Sequence, residues 1–473
     1  MKIYNSLTRK IEEFVPLRQA QGKLADKVGV YACGPTVYDY LTIGNWRTYV
    51  LGDLVIRTLK YLGYDPDYIM NITDVGHLTG DNLGDADLGE DRQEKAAKRE
   101  GKLAWDVADF YTQDFYAGYD KLNLTKPREF TKATDHIKEQ IELVKAIEAK
   151  GLAYRIDDGI YFDTKAWEDA GNKYGELSTL DQIREGARVK PVAGKRDARD
   201  FGLWKFGSKN EKRQMEWDSP WGKGFPGWHI ECSAMSMKYL GEQFDIHVGG
   251  EDLRSIHHPN EIAQSEAGTG KKPFVKYWLH GAFLLVDGRR MGKSLGNAYT
   301  LADIEKKGFD PLALRYFYLT GHYRKQLNFT WEALESAQIG FNKLREQVKA
   351  LEKDGGKEDE SAETYRQQFK TALADDLNMP QAMAVVWEMM KSDLSNKKKQ
   401  VMVAELDQVL GLELGEVEEV VVSRRVAELV KQREDLRKEG KFDEADKVRE
   451  KIKAEEYVVE DTGSGTTLKK KRG

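Results

Sequence analysis

The sequence has very few cysteines and no long apolar run. Only Cys33 and Cys232 occur among its 473 residues, which argues against a disulfide framework and favours reduced cysteines with a catalytic or metal-binding role. No segment approaches the ~18 consecutive apolar residues that a membrane span needs. The N-terminal segment lacks the apolar core and small-residue cleavage site of a signal peptide. These absences predict a cytoplasmic protein with no membrane partner.

An excess of basic charge is absent as well. The chain has 74 Lys and Arg residues against 79 Asp and Glu residues, for a formal net charge of -5. This balance excludes a globally basic nucleic-acid binder but leaves a local basic face open. Its 40% hydrophobic and 32% charged residues are typical of a soluble globular protein. The length predicts two to four domains.

The first seventy or so residues predict a strand, a glycine turn, a helix and a second strand. Residues 28–32 are a β-prone apolar run, and the turn CGPT precedes a segment with helical periodicity. Residues 68–72 read as the second strand, so this region predicts a βαβ unit of a parallel sheet. The polar residues 18–27 before it predict an exposed hairpin insert, to which no role is assigned.

The middle of the chain predicts an insertion into the sheet domain. Residues 76–102 are acidic and glycine-rich, which predicts a mobile loop, and residues 154–163 predict a hairpin with Asp-Gly at its turn. We expect the sheet to resume near Phe201. Further strands are predicted at residues 244–248 and 283–286, and the second leads into the basic loop DGRRMGKSLGN.

The chain changes character at Thr330. Amphipathic helices such as WEALESAQIGFNKLREQVKALEK continue to about residue 414 and predict a helical bundle. From about residue 420, two charged helices, a short strand at residues 457–461 and the tail GTTLKKKRG form a locally basic end. Such an end is typical of an RNA-contacting module, although a solvated pair of charged helices fits the composition equally well.

Possible metal ligands concentrate in residues 227–261, together with a cysteine far upstream. They are two thiolates, one imidazole and one carboxylate: Cys33, Cys232, one residue of the His257-His258 pair, and Glu261. This donor set suits tetrahedral zinc. The alternative is that the cysteines are inert buried side chains and the histidines pack without ligating. Chemistry alone does not decide between His257 and His258.

A second group of residues predicts nucleotide binding. The Gly44-Asn45 turn at a helix start offers backbone N–H groups to phosphate, and Gly249-Gly250 permit close approach by a nucleoside. Asp252 can accept a hydrogen bond from a ribose hydroxyl or hold an ammonium group.

The basic loop contributes a candidate cation. Lys293 in RMGKS is suited to neutralise a triphosphate in the transition state, as a cation on a flexible loop does. The alternative for Lys293 is an exposed lysine without a role.

Taken in order, these motifs match one family, and the chain resembles the cysteinyl-tRNA synthetases, which are class I aminoacyl-tRNA synthetases. CGPTVYDYLTIGNWRTYV stands at the family's HIGH-type signature, and RMGKSLGN stands at its KMSKS loop. GWHIECSAM and HVGGEDLRSIHHPNE stand at its zinc and nucleotide elements, and FDEADKVREKI stands in its C-terminal domain. Several ordered motifs are far more specific than any single one.

The resemblance implies an α/β fold: a Rossmann-like parallel-sheet catalytic domain with an α+β insertion, then a helical bundle and a small C-terminal mixed α/β domain. The expected boundaries are residues 1–125 for the first half of the catalytic domain, 126–200 for the connective insertion, 201–329 for the second half with the RMGKS loop, 330–415 for the bundle, and 416–473 for an anticodon-recognition domain.

The resemblance also implies the function and the site. The expected reaction is ATP-dependent activation of L-cysteine and its transfer to tRNA(Cys) by a monomer, with one zinc ion per chain that binds the substrate thiolate, and with Mg²⁺ carried by ATP. The implied zinc ligands are Cys33, Cys232, His257 and Glu261. The implied contacts of the substrate cysteine are Thr73, Trp228 and Asp252. The implied ATP contacts are Gly44, Asn45, Gly249, Gly250, Asp252 and Lys293, of which Lys293 and Asn45, together with Thr42, are the implied catalytic residues.

Two departures from the family pattern keep alternatives open. Thr42 stands where the family signature usually begins with histidine, and Arg290 and Gly292 replace the usual Lys and Ser of the lysine-rich loop. One alternative is a ligase that joins cysteine to an amino sugar, against which residues 330–473 argue because a sugar has no anticodon. The other is a non-catalytic, zinc-dependent RNA-binding protein descended from a synthetase.

Overall fold

The structure is a computed structural model, in which the chain divides into two units, Met1–Gly415 and Glu416–Gly473. It describes residues 1–17, 26–76, 78, 89–178, 193–207, 213–352, 362–415, 424–455, 457–462 and 465–470. The predicted insert at residues 18–27 lies almost wholly outside the described residues. The first half of the predicted loop at residues 76–102 lies largely outside them as well.

A five-stranded parallel sheet organises the first unit. In spatial order its strands are Val275–Gly281, Phe244–Gly250, Lys27–Ala32, Asp65–Ile72 and Glu129–Lys132. The predicted α/β class is therefore confirmed, and so are the strands predicted at residues 28–32, 68–72 and 244–248. Because neighbouring strands are parallel, their carboxyl ends meet at one edge of the sheet. Glu129–Lys132 belongs to this sheet although it lies beyond residue 125.

The helix Ile43–Tyr61 makes the crossover between the first two strands of this sheet in the chain. It begins at Thr42, whose side chain and that of Asn45 form a reciprocal capping box. Capping satisfies backbone N–H groups that a helix start otherwise leaves without partners. The helix buries thirteen of its nineteen residues, among them Trp46 and Leu59, so its packing against the sheet fixes where the Thr42 turn lies.

A second, antiparallel sheet corrects one prediction. Its strands are Ala153–Ile156, Gly159–Phe162, Phe201–Phe206 and Gly224–Pro226. The first two are the predicted hairpin, which is confirmed. The parallel sheet does not resume near Phe201 as predicted, because Phe201–Phe206 pairs with this hairpin; the apolar run FGLWKF predicts a strand but not its partner. The chain returns to the parallel sheet at Phe244.

The predicted mobile loop at residues 76–102 contains a helix, Arg92–Glu100. Asp91 caps its start by accepting a hydrogen bond from the Glu94 backbone N–H, and Gly101 ends it with a φ of 63°. The prediction was wrong there because the acidic residues and glycines were read as loop composition. Two of them are helix-capping residues, Asp91 and Gly101.

The other described elements of the first unit surround the two sheets. Lys2–Asn5 pairs with Lys10–Glu13, and Leu284–Val286 pairs with Arg289–Arg290 and Leu327–Phe329. The strand predicted at residues 283–286 thus begins one residue later. The helices are Ala104–Lys121, Ile137–Ala149, Thr164–Asp169, Trp228–Leu240, His257–Thr269, Leu301–Lys306 and Pro311–Leu319, with single 3-10 turns at Ala133–His136, Lys293–Leu295 and Ala350–Glu352.

Four helices confirm the predicted bundle after Thr330: Trp331–Lys349, Ala362–Ala374, Met379–Lys391 and Asn396–Leu410. Their apolar side chains share one core with those of the helix Ile43–Tyr61, because Leu406 and Leu410 belong to the same buried cluster as Val55 and Leu59. The bundle is thus packed directly against the sheet domain.

The second unit contains the helices Arg424–Lys438 and Phe442–Ala454 and an antiparallel hairpin of Tyr457–Thr462 with Gly465–Lys470. The predicted strand at residues 457–461 is confirmed. The following residues were predicted as a tail, and they form its partner strand instead. In neither unit does a described helix combine the length and apolar character needed to cross a membrane.

Arg315, on the helix Pro311–Leu319, is a buried residue that contacts both the sheet domain and the bundle. Arg315 is 0% exposed and donates from Nη2 to Asp53 Oδ2 at 2.5 Å. It also donates to the carbonyl oxygens of Leu410 at 2.6 Å and Leu122 at 3.0 Å. Burial raises the pKa of the Asp53 carboxyl, but Arg315 and Arg57 outweigh burial and hold that pKa below its usual value.

We expect Arg315→Met to lower the free energy of unfolding of the first unit by about 3 kcal/mol, because it leaves a buried carboxylate without its main partner. Urea unfolding followed by tryptophan fluorescence measures this, since all 10 tryptophans precede residue 416. Arg345→Met is the control: Arg345 lies 3.4 Å from Asp310 in a partly exposed pair, and its loss should cost less than about 1 kcal/mol. Equal losses of unfolding free energy in the two variants would contradict the larger stabilising role given to Arg315.

Candidate metal and nucleotide site

A cleft of about 170 Å³ opens at the carboxyl edge of the parallel sheet. Such an edge is where ligands bind in open α/β sheets. Seven of the residues predicted from the sequence line the cleft: Cys33, Thr42, Asn45, Trp228, Gly250, Asp252 and Lys293. The structure therefore brings residues from the start of the chain together with residues more than 200 positions later.

Four potential metal ligands lie close together beside this cleft, and one of them, Cys33, lines it. One ligand atom from each of Cys33, Cys232, His257 and Glu261 lies within 4.8 Å of all the others. Cys33 follows the strand Lys27–Ala32, and Cys232 lies on the helix Trp228–Leu240. His257 and Glu261 are four positions apart on the helix His257–Thr269, so one turn places both on the same face. All four residues are buried.

A second set of four residues meets the same distance criterion: Cys33, His247, His258 and Glu261. His258 Nε2 lies 3.5 Å from Cys33 Sγ, and His247 Nε2 lies 3.0 Å from Glu261 Oε2. The sequence analysis missed His247; its alternation with Gly249 along the strand was the available signal, because alternate strand residues share a face. The first set has two cysteine sulfurs and suits a borderline-soft cation better.

The protonation of the first set fits a cation site. Burial raises the pKa of the Cys33 thiol well above its ordinary value. Burial also acts to raise the pKa of Cys232, but the hydrogen bond from Cys33 and the nearby His257 outweigh it and lower that pKa to about 6. Likewise, burial raises the pKa of Glu261, yet His247 and His257 hold it below its usual value. Two buried anions, Cys232 and Glu261, thus face one centre.

The fourth member of the set carries the compensating charge. Burial acts to lower the pKa of His257, but Glu261 and Cys232 outweigh burial and raise it to about 10. Glu261 Oε1 is buried and lies 3.0 Å from His257 Nε2, without a hydrogen bond of good geometry. A divalent cation would take the place of the His257 proton and neutralise both anions, so the residues present fit a metal such as zinc.

Trp228 and Asp252 line the cleft beside this cluster. The Trp228 ring packs on His257 with ring centroids 4.2 Å apart. Asp252 is an exposed residue of the cleft wall; desolvation by the protein around its carboxyl raises the pKa, so it favours a cationic or hydrogen-bond-donating ligand group. Thr73 lies farther back: it is 2% exposed, and its N–H donates to the Pro35 carbonyl at 2.9 Å.

The paired glycines after the strand Phe244–Gly250 have different surroundings. A Cβ on Gly249 would lie 2.6 Å from His258 Cε1, so this glycine is needed for packing against the histidine cluster. A Cβ on Gly250 would lie 2.3 Å from Asp252 Oδ1. Only Gly250 of the pair lines the cleft. Gly249 thus packs closely against protein side chains, and its contact with a nucleoside stays a prediction.

The side of the cleft that is predicted to bind phosphate is built on the start of the helix Ile43–Tyr61. The Thr42 hydroxyl donates to Asn45 Oδ1 at 2.7 Å and accepts from the Asn45 backbone N–H at 3.4 Å. Gly44, in the same turn, faces the RMGKS loop, since a Cβ there would lie 3.5 Å from Met291 Cε. Lys293, in the 3-10 turn of that loop, pairs with Asp39.

Arg47 connects this helix start to the segment that leads into the RMGKS loop. Its Nη1 donates to the carbonyl oxygens of Ala282 at 2.7 Å and Phe283 at 2.9 Å. Its Nη2 donates to the carbonyl oxygen of Lys325 at 2.6 Å. One buried guanidinium therefore ties the helix that carries Thr42 to the base of the loop that carries Lys293.

Comparison with known proteins places the chain in a class. Residues 19–339 match the family profile described as tRNA synthetases class I (C) catalytic domain. The structure of Mycobacterium tuberculosis methionyl-tRNA synthetase in complex with methionyl-adenylate superposes with a TM-score of 0.57 and 14% identity, covering 82% of this chain and 92% of that chain. This likeness is one of fold alone. The fold and the profile define a class I aminoacyl-tRNA synthetase.

Relatives in sequence specify the family. Cysteine–tRNA ligase 1 of Burkholderia lata is 46% identical over 473 residues, covering 99% of this chain and 96% of that protein. The cysteine–tRNA ligase of Treponema denticola is 41% identical and covers 99% of both chains. That of Chlorobaculum tepidum is 39% identical, covering 100% of this chain and 99% of its own. The chain belongs to the cysteine–tRNA ligase family, which confirms the resemblance.

We expect Thr42→Ala to lower stability by about 1 kcal/mol, because it removes the helix cap, and to slow cysteine-dependent ATP–pyrophosphate exchange, because the hydroxyl faces the cleft. Thr42→Ser keeps the cap and should keep both properties. Thr42→His tests the residue usual in the family at this position. Exchange by Thr42→Ala at the wild-type rate would show that Thr42 has no role at the phosphates.

Proposed function

We propose that the chain catalyses the ATP-dependent activation of L-cysteine to cysteinyl-adenylate and its transfer to tRNA(Cys). The observation that carries this proposal is that Cys33 lies both in the buried cluster of metal-ligand side chains and in the wall of the cleft. The same cleft is lined by Thr42, Asn45 and Lys293. An amino-acid side chain and a triphosphate are thus both within reach of one cavity.

A zinc ion would be held by Cys33, Cys232, His257 and Glu261. When bound, it supplies a soft cation with a higher affinity for a thiolate than for a hydroxyl group. Selection of cysteine over serine needs such a device, because apolar pockets separate near-isosteres by only about 1–3 kcal/mol. The buried Trp228 ring beside His257 excludes water from this end of the cleft.

The first step needs alignment rather than a protein nucleophile. A carboxylate oxygen of cysteine attacks the α-phosphorus of ATP; the new O–P bond gives the adenylate, and the bond to the β-phosphate breaks to release pyrophosphate. Asp252 is placed to hold the ammonium group or a ribose hydroxyl. Lys293 and the backbone N–H groups at Gly44 and Asn45 would stabilise charge that develops on the phosphates.

In the second step, a ribose hydroxyl of the terminal adenosine of tRNA attacks the adenylate carbonyl and displaces AMP. The C-terminal unit, Glu416–Gly473, is proposed to recognise the anticodon. It ends in the basic run KKKR, which suits contact with phosphate groups. The predicted five-part domain division stays part of this proposal. The cytoplasmic location and the monomeric state remain predictions.

The two alternative functions receive less support. Relatives named cysteine–tRNA ligase match the chain over 99% of its length, and therefore over the bundle and the C-terminal unit, for which an amino-sugar substrate has no use. A non-catalytic RNA-binding protein would not need Asp252 and Lys293 to line the same cleft as the Cys33 cluster. Both alternatives fail if cysteine is esterified to tRNA.

The two overlapping ligand sets predict different outcomes for zinc content. Cys232→Ser removes a ligand of the first set only, and His247→Gln removes one of the second set only. We expect Cys232→Ser to lose most of its zinc and His247→Gln to retain it, measured by plasma mass spectrometry after dialysis. The reverse result would assign the metal to His247 and His258 instead. Circular dichroism of each variant controls for folding.

The proposed function is tested by aminoacylation of total tRNA with labelled cysteine or labelled serine. We expect cysteine charging to exceed serine charging by at least about 100-fold, because soft-cation selection adds to pocket selection. A chelator should abolish cysteine charging, and added zinc should restore it. Equal charging with the two amino acids would contradict selection by a metal. No charging by the zinc-loaded chain would contradict the function itself.

A further inference from the structure

Asp39, which no part of the proposed reaction uses, faces the catalytic lysine across the mouth of the cleft. We propose that Asp39 is a positioning residue that holds Lys293 while the cleft is empty and releases it to the phosphates of ATP. This inference rests on the proposed function, because it takes ATP as the ligand. It assigns to Asp39 control over the availability of the Lys293 ammonium group.

The contacts of Asp39 support this role. Its Oδ2 pairs with Lys293 Nζ, and its Oδ1 accepts a hydrogen bond from the Tyr40 backbone N–H at 2.8 Å, which fixes the carboxylate. Lys293 Nζ also lies 5.7 Å from the centroid of the Tyr38 ring. The segment between the Cys33 turn and the helix Ile43–Tyr61 thus provides a preformed binding site for the Lys293 ammonium group.

The loop that carries Lys293 has few other attachments near its tip. Its 3-10 turn Lys293–Leu295 ends at Gly296 with a φ of 66°, and Leu295 is 63% exposed. The Gly292 N–H donates to Asn297 Oδ1 at 2.9 Å, a contact internal to the loop. The pair with Asp39 joins residues 254 positions apart, so it is a tether between the loop tip and the body of the sheet domain.

The Lys293 ammonium group is suited to exchange the Asp39 carboxylate for a phosphate group. Asp39 and Lys293 both line the cleft with Thr42 and Asn45, so a triphosphate there competes with the Asp39 carboxylate for the same ammonium group. The side chains are 23% and 54% exposed, and such solvent-accessible pairs contribute little net free energy. After release of Lys293, Arg99 remains near Asp39, with Nη1 3.4 Å from Oδ2. Asp39 is then not left as an unpaired charge.

The first test is a double-mutant cycle in cysteine-dependent ATP–pyrophosphate exchange. We expect Asp39→Asn to lower the KM for ATP by about threefold, the range that loss of an exposed competing pair allows, with a smaller change in kcat. In the Lys293→Met background, Asp39→Asn should leave KM unchanged. Asp39→Glu keeps the charge and should resemble wild type. Asp120→Asn, which removes an exposed pair with Lys126 at 2.8 Å, is the control.

Two outcomes of the double-mutant cycle would contradict the proposal. A KM for ATP that is unchanged or raised by Asp39→Asn overturns the proposal. The same threefold change in the Lys293→Met background also overturns it, because the effect would then not pass through Lys293.

A second measurement does not depend on synthetase activity. Limited digestion with trypsin cleaves exposed loops, and this loop offers Arg289, Arg290 and Lys293. We expect Asp39→Asn to accelerate cleavage in this loop about threefold and Asp120→Asn to leave it unchanged. Faster cleavage in a chain without any exchange activity would reject the proposed function but retain the tether. Cleavage at the wild-type rate in Asp39→Asn would reject the tether even if exchange is normal.

Discussion

Burial of charged donors around Cys33 constrains much of the first unit. Cys33, Cys232, His257 and Glu261 come from a strand end and two helices, and their ligand atoms lie within 4.8 Å of each other. Unpaired charges are costly inside a protein, so these elements must meet accurately to compensate one another. The helices Trp228–Leu240 and His257–Thr269 and the strand Lys27–Ala32 are therefore fixed by charge compensation as well as by apolar packing.

Local patterns in the sequence predict the elements better than their partners. The run VGVYA and the helix after Thr42 were predictable because apolar periodicity and glycine turns are local. The pairing of FGLWKF with the strand Gly159–Phe162 was not predictable, since the same apolar run suits either sheet. The helix Arg92–Glu100 was missed because Asp91 and Gly101 are typical of loops by composition and of helix ends by position.

In the candidate site, too, the local motifs were predictable from the sequence, but the contacts between distant residues were not. The donor chemistry of two cysteines, one histidine and one glutamate was readable from the sequence, and the order of motifs identified the family. The overlap of two ligand sets was not readable, because it depends on how His247 and His258 face Cys33 across a strand and a helix. Asp39 was also passed over: nothing in YDY marks an aspartate that meets a lysine 254 positions away.

The Arg47 guanidinium bears on how the cleft can move. It holds the carbonyl groups of Ala282, Phe283 and Lys325 from the helix that starts at Thr42. The base of the RMGKS loop and the Thr42 turn, which is proposed to bind phosphate, are therefore held together by one side chain. The proposed displacement of Lys293 would then be confined to the span between the strand Arg289–Arg290 and the helix Leu301–Lys306. Lys293 would move relative to a loop base that Arg47 anchors to the helix whose start is proposed to bind the phosphates.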